Sequence, residues 1–72
     1  MKNNKWNLEF KAFLARNEMT AKDVSAKTGI PELTIVSYRS GKRTPSDKNK
    51  EKLYKDLGFD IYKALYGETN EN

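Results

Sequence analysis

Lys42 and Arg43 follow Ser40 and Gly41 directly, and this Gly-Lys-Arg loop has the chemistry of a phosphate grip. Two cations and a small hydroxyl stand on a chain segment that glycine leaves free to bend. Lys22, about twenty residues upstream, adds a third cation. Between them lie Pro31, Glu32, Leu33, Val36 and Ser37, on a segment that reads as a short helix with these residues outward. Their chemistry is unusual for a surface that reads bases. Glu32 can accept a hydrogen bond from a cytosine amino group but sits badly among phosphates, and Leu33 and Val36 can touch a thymine methyl and little else. Apolar side chains grouped on an outward face are instead a sign of a protein contact.

Other chemistry is scarce. The 72 residues contain no histidine and no cysteine, which removes the commonest general base, thiolate nucleophiles and the commonest metal ligands. No glycine-rich phosphate loop is present. Glu9, Glu18, Asp23, Glu32 and Glu51 fall on expected exposed helix faces near lysines, the pattern of solvated surface. The expectation is a protein that is not an enzyme, with no cofactor, no metal and no small-molecule ligand. No apolar run approaches the roughly 20 residues of a membrane span and no signal-peptide core is seen, so a cytoplasmic chain with no membrane contact is expected.

The net charge is +4, and its distribution matters more than its sum. Residues 37–56 carry seven Lys/Arg against three Asp/Glu, whereas residues 57–72 carry one against three. A basic middle suits a polyanion or an acidic protein surface, although a solvated lysine-rich helix has the same composition.

The elements that must position these residues are all helical. Leu8, Phe10, Phe13, Leu14 and Met19 carry helical spacing over about Asn7–Asn17, with Asn7 as its expected cap. Thr20 and Asp23 form a capping-box pattern opening a second helix, which stops at Gly29. Pro31 suits the first position of a third helix ending near Arg39–Ser40, with Gly41 as terminator. Ser46 caps a fourth that carries Leu53, Tyr54 and Leu57 inward and stops at Gly58. Asp60 caps a short fifth with Ile61, Ala64 and Leu65 inward. One small all-α domain follows, spanning residues 7–66, between an N-terminal arm (1–6) and a polar tail (67–72). Such a chain buries only about 60% of its unfolded surface, so stability must come from packing, for which eight aromatics (Trp6, Phe10, Phe13, Tyr38, Tyr54, Phe59, Tyr62 and Tyr66) are available. Tyr62, Leu65 and Tyr66 are candidates either for that core or for a small contact patch.

The stretch Thr20-Ala-Lys-Asp-Val24-Ser25-x-x-Thr28-Gly29-Ile30, with Ile35, Tyr38 and the Gly41-Lys42-Arg43-x-Pro45 exit, resembles the lambda-repressor-like Cro/CI helix-turn-helix family. The likeness runs from about Phe10 to Leu65. It implies a compact five-helix domain in which one helix braces another against a nucleic-acid groove. The family's base-reading positions fall here on Pro31, Glu32, Leu33, Val36 and Ser37. Its phosphate positions fall at the start of the second helix (Ala21, with Lys22 beside it) and on Ser40, Lys42 and Arg43, helped by backbone amides near Gly41. Gly29 and Gly41 are its structural turns.

Two departures from the family stand out. Alanine at 21 replaces the glutamine that usually clamps a phosphate. Leu14 and Arg39 stand where the family often has an Arg–Glu pair. The chain looks like the small modulators of repression of temperate-phage switches, those of lactococcal type included. That likeness implies a regulator of a lysis–lysogeny switch that binds a partner phage repressor and modulates or blocks its operator binding. It reaches double-stranded DNA directly or within the repressor complex. An autonomous Cro-like operator-binding repressor is the other reading the resemblance allows. In the docking reading Leu33, Val36 and Ile30 make the apolar patch, with Glu18, Asp23 and Glu32 at its rim.

Overall fold

The described chain folds into short helices, and all but the one over Asp47–Lys52 bury residues in a shared core. A computed structural model describes residues 5–66. The helices are α1 (Trp6–Arg16), α2 (Ala21–Thr28), α3 (Glu32–Ser40), α4 (Asp47–Lys52) and α5 (Ile61–Tyr66), and α4 continues into a wider π-helical turn over Leu53–Leu57. No strand occurs among the described residues. The Cα radius of gyration, 11.5 Å, is near the ~11 Å of a folded chain of this length. The all-helical expectation holds. The proposed tail at 67–72 lies outside the described residues. The expected arm at 1–6 is too long, because Trp6 opens α1 and is buried.

Aromatic stacking ties the sequence-distant ends together. The Phe59 ring lies 5.1 Å from that of Phe10 and 5.2 Å from that of Phe13, while Trp6 meets Tyr38 edge-on at 6.2 Å. Around them pack Leu14, Val24, Ile30, Ile35, Leu53, Ile61 and Leu65, so α1, α3 and α5 share one core. Contacts of this kind contribute about 0.5–1.5 kcal/mol per aromatic pair beyond simple area burial.

Local signals explain most of the helix boundaries. The Thr20 hydroxyl accepts from the Asp23 amide at 3.1 Å and the Asp23 carboxylate accepts from the Thr20 amide at 2.8 Å, closing the capping box. The Ser46 hydroxyl accepts from the Asn49 amide at 3.3 Å, and the Asp60 carboxylate from the Lys63 amide at 3.0 Å. Three expectations change. Pro31 precedes the first helical residue of α3 instead of occupying it, with an extended ψ of 143°. Its carbonyl takes the first hydrogen bonds of the helix, from Thr34 and Ile35. Asn7 caps nothing at the start of α1, since its side chain reaches across to α3. Tyr54 points out rather than in, because the π-helical turn keeps Leu53 and Leu57 inward and rotates Tyr54 away.

The last helix is held to α4 by phenols. Lys50 Nζ donates to the Tyr66 hydroxyl at 2.8 Å, the Tyr62 hydroxyl donates to Glu51 at 3.4 Å, and the Tyr54 and Tyr62 rings meet edge-on at 5.6 Å. Leu65 is core, whereas Tyr62 and Tyr66 are exposed.

Candidate functional site

Helix α3 divides cleanly into two faces. Ile35 and Tyr38 point inward, and the Tyr38 hydroxyl accepts from Asn49 Nδ2 at 2.8 Å, tying α3 to α4. Leu33 points outward with 81% of its surface exposed, and Val36 with 36%. Positions 33, 36 and 37 lie three and four residues apart, so Leu33, Val36 and Ser37 share one side of the helix. Pro31 and Glu32 stand exposed at its entrance. Ile30, expected in the apolar patch, is not part of it. At 1% exposure it is core, because the left-handed turn at Gly29 swings it beneath α3.

The entrance turn is tightly made. Gly29 has φ +78°, a conformation in which a Cβ is strained. Thr28, buried at the end of α2, donates its hydroxyl to the Val24 carbonyl at 2.8 Å and accepts from the Ile30 amide at 3.2 Å. One hydroxyl thereby closes α2 and satisfies the buried amide of the turn. Only a faint sequence signal marks this role, a lone threonine just before the turn glycine.

The exit turn departs from expectation in one chemical respect. Gly41 takes φ +85°, and the amides of Gly41, Lys42 and Arg43 all turn back onto α3. Gly41 donates to Tyr38 O at 3.1 Å, and Lys42 and Arg43 donate to Ser37 O at 2.9 and 3.4 Å. The Ser40 hydroxyl also donates to Ser37 O, at 3.1 Å. The expected phosphate-binding amides are therefore engaged in closing the helix, and Ser40 has spent its single hydroxyl proton. What the loop offers outward is the exposed side chains of Lys42 and Arg43.

Lys22 is exposed on the first turn of α2, and no hydrogen bond joins its side chain to α3 among the described residues. Ala21 and Leu14 are buried, and Arg39 is half-buried. Of the seven basic residues in 37–56, Lys50 pairs with Asp47 and Lys55 with Glu51, at 3.5 and 3.7 Å. Of the other five, Arg39 and Lys52 are half-buried, Lys48 is exposed on α4, and Lys42 and Arg43 are the exposed cations of the loop that leaves α3.

The acidic rim is less available than its composition suggests. Asp23 is held below the ordinary carboxylate value of 3.8, first by the Thr20 backbone amide and then by the Thr20 hydroxyl. Its charge is already committed to the cap. Glu18 stands in a left-handed conformation with φ 53° in the turn before α2. Glu32 is the acidic residue beside Leu33 on α3 itself.

Asn7 is the residue at this site that the sequence did not reveal. Its Nδ2 donates to the Arg39 carbonyl at 3.3 Å, 32 residues away, and its carboxamide lies against Gly41. No group of three or more potential metal ligands gathers among the described residues, and no described helix is long and apolar enough to cross a membrane. No protein-family model, curated protein or solved structure matches this chain.

Proposed function

We propose that this chain is a helix-turn-helix regulator of a phage-type genetic switch, and that α3 docks on a partner repressor to modulate or block its operator binding. In this reading α2 and α3 are the two helices of the motif and Gly29 its turn. The observation that carries it is the outward face of α3. Leu33 stands almost fully exposed beside Val36, and neither is needed to close the core. An exposed leucine costs solubility and gains nothing in the free protein, whereas a partner that covers it recovers roughly 25 cal/mol for each Å² buried. Glu32 beside the apolar pair suits the basic DNA-binding face of a repressor, and repels phosphates.

Direct operator reading has one observation in its favour. Lys42 and Arg43 are exposed and outside any ion pair among the described residues, so they remain available to phosphates. A single domain gripping DNA mainly through such cations binds non-specifically, with a Kd of about 10⁻⁴–10⁻⁶ M.

The deciding experiment is a salt titration of the chain against DNA from upstream of its own gene and against unrelated DNA, with and without the neighbouring repressor. Weak, sequence-blind binding alone, together with altered operator binding by the repressor when the chain is present, is the expected result. Tight, sequence-dependent binding by the chain alone would favour the autonomous repressor. Replacing Lys42 and Arg43 together by alanine should weaken any DNA binding across all sequences and flatten its salt dependence.

A further inference from the structure

Helix α3 ends at a point where three consecutive amides, those of Gly41, Lys42 and Arg43, depend on two carbonyls, Tyr38 O and Ser37 O. Such a C-terminal turn frays readily unless something outside the helix holds it. On one side stands Asn7 of α1. Its Nδ2 donates to the Arg39 carbonyl at 3.3 Å, and its carboxamide atoms lie 3.0–3.3 Å from where a Cβ on Gly41 would be. The same side chain therefore engages the last turn of α3 and covers the glycine that starts the loop. Asn7 itself is anchored, because its neighbour Trp6 is buried against Phe10 and Tyr38.

We propose that Asn7 is a positioning residue for the Lys42–Arg43 loop, fixing the last turn of α3 so that both cations project from one defined place. This rests on the reading of those cations as contacts to phosphate, on DNA directly or in a repressor–DNA complex. The mechanism is a donated hydrogen bond at the carbonyl end of a helix, where an N–H is favoured and a carboxylate is repelled. The order of substituents therefore differs from that of a packing role. Leucine has the heavy-atom count and branching of asparagine, without the donor or any charge. If Asn7 only fills space, Asn7→Leu is silent. If the donor matters, Asn7→Leu loosens the loop nearly as much as Asn7→Ala, and Asn7→Asp loosens it most.

Amide hydrogen exchange followed by NMR on the full chain reads this directly, with the Phe59 amide, bonded to Leu53 O at the far turn, as internal control. Asn7→Leu should speed exchange at Gly41, Lys42 and Arg43 about tenfold, the loss of one net hydrogen bond, with Phe59 unchanged. Unchanged exchange in the loop, or equal acceleration at Phe59, overturns the proposal. Binding of Asn7→Leu to a random-sequence duplex should fall, with a shallower salt slope, toward that of the Lys42→Ala/Arg43→Ala double variant. Should the double variant bind like the native chain, the phosphate reading of the loop fails. The positioning role then fails with it, even if the exchange data show Asn7 holding the turn.

Discussion

The two faces of α3 obey different rules. The inward face, with Ile35 and Tyr38, is closed by packing and by the Asn49 amide on the Tyr38 hydroxyl. The outward face, with Leu33 and Val36, has the same apolar chemistry, yet Leu33 is almost bare and Val36 is exposed over about a third of its surface. The difference teaches that hydrophobicity alone does not assign a residue to the core. What assigns it is whether neighbouring elements converge on that side of the helix. Here α1 and α2 pack against α3 and Asn49 of α4 reaches Tyr38, while Leu33 stays uncovered.

The comparison breaks most severely on the inward side. Ile35→Ala should lower stability by about 2–5 kcal/mol, since a fully buried side chain leaves a cavity among rigid neighbours. Thermal or urea unfolding checks this, and a loss under about 1 kcal/mol would mean that the α3 core side collapses easily. Next comes Thr28→Val, which keeps shape but removes the acceptor of the Ile30 amide, at a cost of about 1–3 kcal/mol. On the outward side, Leu33→Asp and Val36→Asp should change stability by no more than about 0.5 kcal/mol and yet abolish association with the proposed partner repressor. A variant that melts normally and still associates normally would refute docking through α3.

The smallest effects are those of pH. Asp23 has its carboxyl pKa lowered by folding, so its contribution is present above the unfolded value near 3.8 and is lost as pH falls through the folded one. Lys50 is raised by its hydrogen bond to Tyr66, and Tyr62 by loss of solvent around its phenol and then by Glu51. Their contributions are complete below the unfolded values of 10.5 and 10.0 and fade as pH rises through the folded ones. Stability should therefore be flat from about pH 5 to 9. Asp23→Asn should soften the acid limb alone, as followed by circular dichroism.

Much of the local architecture could be read from residue order, because its causes lie within four residues of one another. Thr20 with Asp23, Ser46 with Asn49 and Asp60 with Lys63 are caps of that range, and the turns at Gly29 and Gly41 follow from a residue without a Cβ. Leu33 could be placed for the same reason, since helical spacing alone puts it nearly opposite Ile35, whereas Glu32 and Val36 lie closer to the Ile35 side. The exit amides could not, because counting backbone donors shows none free only once the path of the chain after Gly41 is known.

By itself, then, the sequence determined an all-helical chain, its helix caps, its turn glycines and the cations beside α3, all set by short-range sterics and hydrogen bonding. Tertiary structure alone decided that Ile30 is core, that Tyr54 faces out, and that Asn7 closes on Arg39. These depend on contacts between residues up to tens of positions apart, formed only when helices pack and the surface of one becomes the boundary of another.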